Sequence, residues 1–192
     1  MALAPGRCRA RPRGLATPWE PIMSTLACAP PTESTAAPAE TTLDALEFLC
    51  REHAGARELA EECRRHVRSM LPDPAARERA ERLCGSLRRL AEIEEGLFYP
   101  VARAALESPQ LVDLAALEHA TARQIIRQLK ACDAGEPRFE ALLLALSDCV
   151  ERHVKLEQGE LFPQLRCATL DLWALGARLQ ARRFEPRPVV AH

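Results

Sequence analysis

A histidine and a glutamate four residues apart have the spacing of a metal-chelating pair on a helix in this 192-residue chain. They are His153 and Glu157, in the segment HVKLEQGELFP. Residues at this spacing lie one above the other on the same helix face, roughly 6 Å apart. One such pair is common by chance, so its significance depends on the rest of the chain.

Much of that segment occurs a second time, as EEGLFYP from Glu94 to Pro100. Both copies read Glu-x-Gly-x-x-x-Pro, with large apolar residues just before the proline. The residue four positions before the glutamate is His153 in one copy and Leu90 in the other. The repeat therefore predicts two equivalent glutamates, of which only one has a histidine partner on its own helix.

A second repeat links two other parts of the chain, because EHAGAR at 52–57 matches EHATAR at 118–123 at five of six positions. The two repeats together indicate a duplicated helical hairpin, with a histidine on the first helix and a glutamate on the second. If the two hairpins pack with rough two-fold symmetry, five side chains meet in the core. The candidate ligands are His53, Glu94, His119, His153 and Glu157. Nitrogen and carboxylate ligands from facing helices suit a pair of iron ions, with the glutamates available to bridge them.

The apolar residues recur at helical spacing in four long stretches, which predicts four long helices. The first opens at TTLD (41–44), with Thr or Asp as its cap, and the others cover about 75–105, about 111–131 and about 139 to Pro163. Pro100 is expected to kink its helix without ending it, and Pro163 is a second internal proline. The sequence thus predicts an all-α fold: an antiparallel up-down-up-down four-helix bundle built from a duplicated hairpin, with a short C-terminal helix at 170–183.

Composition sets the predicted domain limits. Residues 1–40 are rich in Pro, Ala, Thr and Arg without periodicity and are expected to form a disordered leader, within which Met23 is an alternative start to Met1. The bundle is expected over 41–184, and a flexible tail over 185–192.

Charge and cysteine usage exclude several classes of function. A net charge of −1 creates no strong field for nucleic acid or an anionic membrane, and no apolar run approaches the roughly 18 residues of a membrane span. None of the eight cysteines has another within four residues, so zinc-finger spacing is absent. We expect a reducing cytoplasm, without disulfides.

The chain resembles the hemerythrin family in its bacterial form, the histidine–histidine–glutamate cation-binding domain. The resemblance covers about residues 42–183, and the motifs that carry it are TTLDALEFLCREH, EEGLFYP, EHATARQIIRQL and HVKLEQGELFP. It implies a non-heme di-iron centre that binds oxygen reversibly, or senses oxygen, nitric oxide, redox state or iron. It also implies that Glu94 is a bridging carboxylate, and that the remaining ligands are His53, His119, His153 and Glu157.

Two positions depart from the family pattern. Leu90 stands where the second helix of the family usually has a histidine, and Arg123 stands where oxygen carriers often have one. The resemblance therefore implies a di-iron site that is short of imidazoles and a poor carrier of oxygen.

Two other classes of function stay open at this point. One is a di-iron enzyme, such as a peroxidase or oxidase, although no Glu-x-x-His of the ferritin-like type occurs. The other is a metal-free bundle that serves as an interaction module. A small diatomic ligand (O2 or NO) is the expected partner, and the sequence predicts no particular protein partner. Tyr99 has two interpretations: a hydrogen-bond donor near the site, or a packing residue beside a kink.

Overall fold

The computed structural model describes residues 43–69 and 75–184, and every regular element within them is helical. We number five helices and treat each as continuous where a π-helical segment interrupts it. They are α1 (Ala45–Ser69), α2 (Ala76–Ile93, then π-helical Glu94–Phe98, then Tyr99–Ala105), α3 (Gln110–Lys130), α4 (Pro137–Leu156, then π-helical Glu157–Leu161, then Phe162–Cys167) and α5 (Leu172–Phe184). The predicted leader and tail lie outside the described residues, as do Thr41 and Thr42.

Helix α1 begins with a capping box. The Asp44 carboxylate accepts hydrogen bonds from the backbone N–H groups of Leu46 and Glu47, both at 2.8 Å. In return, the Glu47 carboxylate accepts one from the Asp44 N–H at 3.3 Å. This arrangement satisfies backbone donors that a helix start otherwise leaves unpaired. Asp44 is thus the cap, one of the two residue types predicted.

Two apolar clusters show that the four long helices alternate in direction. One cluster combines the beginnings of α1 and α3 with the ends of α2 and α4, and the other combines their opposite ends. Helix α1 packs against α2 and α4, while α3 packs against α4 and α2. The predicted antiparallel four-helix bundle is therefore confirmed, and the candidate site lies between the two clusters.

The short helix α5 packs against α1 and α2 at one end of the bundle. Gly176 allows a close approach, because a Cβ there would overlap the backbone oxygen of Leu43 and lie 2.8 Å from the backbone nitrogen of Ala45. Gln180 donates a hydrogen bond to the same Leu43 oxygen at 3.2 Å. Among the described residues, no helix is both long enough and apolar enough to cross a membrane.

Candidate metal centre

Both site glutamates begin a π-helical segment. The N–H of Tyr99 bonds to the carbonyl oxygen of Glu94, and the N–H of Phe162 bonds to that of Glu157, each across five residues. A proline follows each segment and cannot supply an N–H to the helix. The wider turn lets the helix continue through Pro100 and Pro163, as the sequence predicted, and such turns are frequent at functional sites.

All five predicted ligands meet in the middle of the bundle. His53, Glu94 and Glu157 are fully buried, while His119 and His153 are 7% and 6% exposed. One donor atom each from His53, Glu94, His153 and Glu157 lies within 4.8 Å of the other three. His119 is not one of these four, although its Nε2 lies 3.1 Å from Oε2 of Glu94. Since donors around one ion at about 2.1 Å are separated by at most about 4.2 Å, a shift of several tenths of an ångström would let these four atoms enclose one cation.

The two oxygens of Glu94 face different imidazoles. Oε1 lies 3.1 Å from Nε2 of His53, and Oε2 lies 3.1 Å from Nε2 of His119. His153 is also on the Oε2 side, with its Nε2 at 3.6 Å. The two oxygens of Glu94 thus face different sides of the cluster, one toward His53 and the other toward His119 and His153.

Each hairpin orients the first histidine of the other. Gln158, directly after Glu157, lies with its Nε2 3.1 Å from Nδ1 of His53. Glu95, directly after Glu94, lies with its Oε1 2.9 Å from Nδ1 of His119. These contacts leave Nε2 of both imidazoles directed at the carboxylates. A carboxylate that accepts from Nδ1, as Glu95 can from His119, is the arrangement in which metal-binding histidines are usually held. The amide nitrogen of Gln158 instead donates to Nδ1 of His53, which places the proton of that ring on Nε2.

An aromatic ring also crosses between the hairpins in each half. Phe162 stacks on His53 with ring centroids 5.9 Å apart, and Tyr99 stacks on His119 at 5.5 Å. Tyr99 and Phe162 both directly precede a repeated proline, so the crossing follows the sequence duplication. Only Tyr99 has a hydroxyl, which donates to Oε1 of Glu157 at 2.7 Å. Of the two interpretations of Tyr99, the structure therefore supports the hydrogen-bond donor.

Sequence reasoning did not identify Glu95 and Gln158. The available signal was their position, since each directly follows a repeated glutamate. Arg123 was read only as a missing histidine, yet it donates a hydrogen bond to Glu95 at 2.6 Å. Arg123 and His119 thus share one carboxylate oxygen of Glu95.

Four buried atoms of the cluster make no hydrogen bond to any residue in the described ranges. They are Oε2 of Glu94, Oε2 of Glu157 and both ring nitrogens of His153. Oε2 of Glu94 does have Nε2 of His119 at 3.1 Å, as an ion-pair contact without a hydrogen bond. A buried polar atom without a hydrogen bond destabilises a fold. A cation among the two oxygens and Nε2 of His153 would satisfy all three, so the donor set fits a metal ion.

The pKa values of the two buried glutamates are shifted in opposite directions. Burial raises the pKa of Glu157 well above its usual value, and the nearby Glu94 carboxylate raises it further. Burial also acts to raise the pKa of Glu94, but contacts with three imidazoles outweigh it and hold that pKa well below the usual value. Burial acts to lower the pKa of His153, yet the two glutamates raise it to about 9. Without metal, the cluster thus keeps Glu94 charged beside a protonated imidazole.

Comparisons with known proteins agree with this geometry. The family model described as Hemerythrin HHE cation binding domain matches residues 44–165. Among solved structures, the chain is similar to a hemerythrin HHE cation binding domain-containing protein from Mycobacterium kansasii. That match has a TM-score of 0.61 and 23% identity, and covers 73% of this chain and 85% of the other. At this identity the likeness concerns the fold alone. No curated protein matches the sequence.

Proposed function

The chain belongs to the hemerythrin HHE cation-binding domain family, and we propose that its buried histidine–glutamate cluster binds iron. The proposed ligands are His53, Glu94, His119, His153 and Glu157. We further propose that the protein acts in binding or sensing a small diatomic molecule, O2 or NO.

The single observation that carries the proposal is the set of four buried polar atoms without hydrogen bonds. Two of them are carboxylate oxygens of fully buried glutamates, and the others belong to an imidazole that contacts both glutamates. A bundle that served only as a metal-free scaffold would be more stable with apolar residues at these positions. The cluster is therefore better explained by a cation than by packing.

The donor chemistry supports iron as the cation. Imidazole and carboxylate ligands suit iron, whereas thiolates mark iron–sulfur and structural zinc sites, and no cysteine is in the proposed set. Iron bound there would supply an open coordination position for O2 or NO.

The number of ions follows from two opposing features. The divergent oxygens of Glu94 would allow this carboxylate to help hold a second ion. Leu90, however, supplies no ligand where its counterpart His153 supplies an imidazole. We propose one well-liganded ion and a second that is bound more weakly for lack of imidazoles.

The protein's own residues hold the site in position. Gln158 and Glu95 fix the rings of His53 and His119 from outside, so that their Nε2 atoms face inward. Tyr99 donates to one oxygen of Glu157 and leaves the other oxygen for a cation. The rings of Tyr99 and Phe162 cover the imidazoles and restrict water.

Metal content per chain tests the proposal, measured on protein produced with iron. We expect about one iron or more per chain, and a loss of at least about tenfold in affinity in Glu157→Gln, since removing a ligand should cost more than removing a residue that orients one. Glu160→Gln is the matched control, because this exposed glutamate lies on the same π-helical segment. Wild-type protein with less than about a tenth of an equivalent would overturn the metal proposal.

An absorption spectrum recorded before and after admitting air or nitric oxide tests the diatomic ligand. We expect the iron-loaded wild type to show a visible spectral change and the Glu157→Gln protein to show much less. Iron-loaded protein whose spectrum is unchanged by both gases would contradict the proposed ligand but not the metal site.

A further inference from the structure

The outer partners of the two first-helix histidines differ in hydrogen-bonding chemistry. Glu95 faces Nδ1 of His119 at 2.9 Å, and Gln158 faces Nδ1 of His53 at 3.1 Å. Both partners stand at the same position of the repeat, directly after the site glutamate. An ionised carboxylate only accepts hydrogen bonds, whereas a primary amide has an oxygen that accepts and a nitrogen that donates. One half of the site is therefore held by a group that can pair with either tautomer of its histidine.

Glu95 selects one tautomer of His119. Its Oε1 also accepts a hydrogen bond from Arg123 at 2.6 Å, a charge-assisted contact that favours the ionised carboxylate. Ionised Glu95 pairs with a proton on Nδ1 of His119, so Nε2 of the neutral ring carries a free lone pair. That Nε2 lies 3.1 Å from Oε2 of Glu94, which makes no hydrogen bond to any described residue. His119 is thus held in the tautomer that can bind a cation through Nε2.

The contacts of His53 favour the opposite tautomer. Gln158 donates to Nδ1 from its amide nitrogen, so the ring proton is on Nε2. The inner side of the ring agrees, because Nε2 lies 3.1 Å from Oε1 of Glu94 and 3.5 Å from Oε2 of Glu157. These carboxyl oxygens are buried, and an N–H on Nε2 supplies a donor that water cannot. In this tautomer Nε2 has no lone pair for a cation.

The amide of Gln158 is placed where it can turn over. Gln158 is half-buried and lines an open groove between α1 and α4, together with Arg57, Lys155 and Gly159. The last torsion of a glutamine side chain is broad and roughly two-fold, so both orientations of the amide are accessible. A half-turn exchanges Oε1 with Nε2 and gives Nδ1 of His53 an acceptor in place of a donor.

We propose that Gln158 is a positioning residue that serves both tautomers of His53, and so lets this imidazole change from a hydrogen-bond donor in the metal-free cluster into a metal ligand. The proposal rests on the proposed metal function. When a cation binds, one proton leaves Nε2, one is taken up at Nδ1, and the Nε2 lone pair goes to the ion. The ring stays neutral throughout, and the turned amide accepts the new N–H. Glu95 has no such freedom, so His119 keeps one tautomer in both states.

Nitrogen-15 NMR spectra of the histidine rings test the tautomers directly, because they distinguish a protonated ring nitrogen from an unprotonated one. In metal-free wild type we expect the proton of His53 on Nε2 and that of His119 on Nδ1. Addition of Zn²⁺, a diamagnetic substitute for iron, should move the proton of His53 to Nδ1 and leave that of His119 in place. A His53 ring that carries its proton on Nδ1 before metal is added would overturn the proposal.

Gln158→Glu gives His53 the kind of acceptor that His119 has. The metal-free variant should carry the His53 proton on Nδ1, and its affinity for Fe²⁺ should rise about tenfold, since groups that orient a metal ligand typically change affinity by about 10–100-fold. Gln164→Glu is the matched control, because this exposed residue of α4 gains the same charge. It should leave the tautomer unchanged and the affinity within about twofold of wild type. Equal gains in both variants would show that added negative charge, and not the acceptor on Nδ1, strengthens binding.

The measurements without metal keep this proposal apart from the metal function. If the wild type binds iron but Gln158→Glu changes neither tautomer nor affinity, Gln158 has no positioning role and the metal site stands. If the metal-free tautomers are as expected but no ion binds, the metal function fails and the exchange at His53 fails with it. Should Gln158→Glu not fold by circular dichroism, the wild-type spectra with and without Zn²⁺ decide.

Discussion

Leu90 is the residue at which the two halves of the site differ most. It occupies the position that His153 occupies in the other hairpin, four residues before the site glutamate. It is 4% exposed and, with His119 and His153, lines a cleft of about 230 Å³ between α2, α3 and α4. A ligand placed at this position would therefore lie close to donors that the site already has.

Leu90→His should raise the metal stoichiometry or the metal affinity by supplying the imidazole that this half lacks. An added nitrogen ligand on the helix of Glu94 would recreate the His–Glu pair of the other half. We expect the second ion to bind about tenfold more tightly or better, measured by metal titration and metal content per chain.

Leu87→His is the control for that substitution. Leu87 is one turn earlier on α2 and lines the same cleft, but it is seven residues from Glu94 instead of four. It should leave metal content unchanged. The same gain in both variants would show that any histidine in the cleft recruits metal and that the duplication does not define the position.

The ionisable groups of the metal-free cluster predict how its stability changes with pH. His153 has its pKa raised to about 9, and that of Glu157 is raised well above its usual value. A group with a raised pKa contributes stability below its unfolded value, about 6.5 for histidine, and loses that contribution as pH rises through the folded value. The free energy of unfolding of metal-free protein should therefore fall between about pH 6.5 and about pH 9. Glu94, with its lowered pKa, loses its contribution only at acidic pH.

Urea unfolding of chelator-treated protein at a series of pH values checks this prediction. Metal-loaded protein should show the opposite trend over the same range, since ligands bind metal in their deprotonated form and metal affinity rises with pH. Parallel pH curves for the two forms would contradict the assignment of His153 as a metal ligand.

Sequence reasoning found the five candidate ligands because residue type and repetition mark them. Glu95 and Gln158 were missed because the repeat preserves their position after the site glutamate but not their residue type. Their role depends on which histidine of the opposite hairpin comes within reach, which packing decides.

At the scale of elements, the motif Glu-x-Gly-x-x-x-Pro was enough to predict helices that continue through proline. It did not predict the π-helical turns, because a kinked α-helix accommodates a proline equally well. In the structure both copies form the wider turn, which begins at the site glutamate. The position of the glutamate carboxylate therefore depends on the backbone conformation next to the proline.

Helix α5 depends on a single glycine for its approach to α1. Gly176→Ala should destabilise the protein by about 1–3 kcal/mol, because the added methyl group would overlap the backbone at Leu43 and force α5 outward. Chemical unfolding measures the change.

Gly55→Ala is the matched control. Gly55 lies within α1, and a Cβ there meets nothing within 4 Å. Alanine should stabilise this helix by about 0.5–1 kcal/mol. If Gly176→Ala leaves stability unchanged or raises it, as Gly55→Ala should, the close packing at Gly176 does not limit the fold.

At the scale of the whole molecule, the proposed ligands come from all four long helices. A bound metal would therefore tie the whole bundle together, and it stabilises only the folded state. At a free metal concentration about 1,000 times the dissociation constant, the gain is about 4 kcal/mol, which for a domain of this size raises the melting temperature by roughly 10 °C.

Thermal unfolding with iron and with excess chelator measures this difference. The Glu157→Gln protein should melt at the same temperature under both conditions, which separates specific binding from a general effect of the chelator. A wild-type melting temperature that does not respond to metal would place any bound ion outside the bundle core.

The bundle was predictable because the duplication defines two hairpins with short connections, and such hairpins pack antiparallel. The cleft was not. Its walls come from three helices, and the histidine that would be expected to fill part of it is replaced by Leu90 within a pattern of ordinary apolar residues. Only side-chain packing shows that the space remains open.

The crossed contacts of Gln158 with His53 and of Glu95 with His119 mean that each hairpin depends on the other to orient its first histidine. The two hairpins contact each other across the site in the way that two subunits contact each other across a dimer interface. A chain cut at 106–109 would yield two fragments, each with one oriented histidine missing its support. If the two fragments take up metal only when mixed, metal uptake would report that they have reassociated.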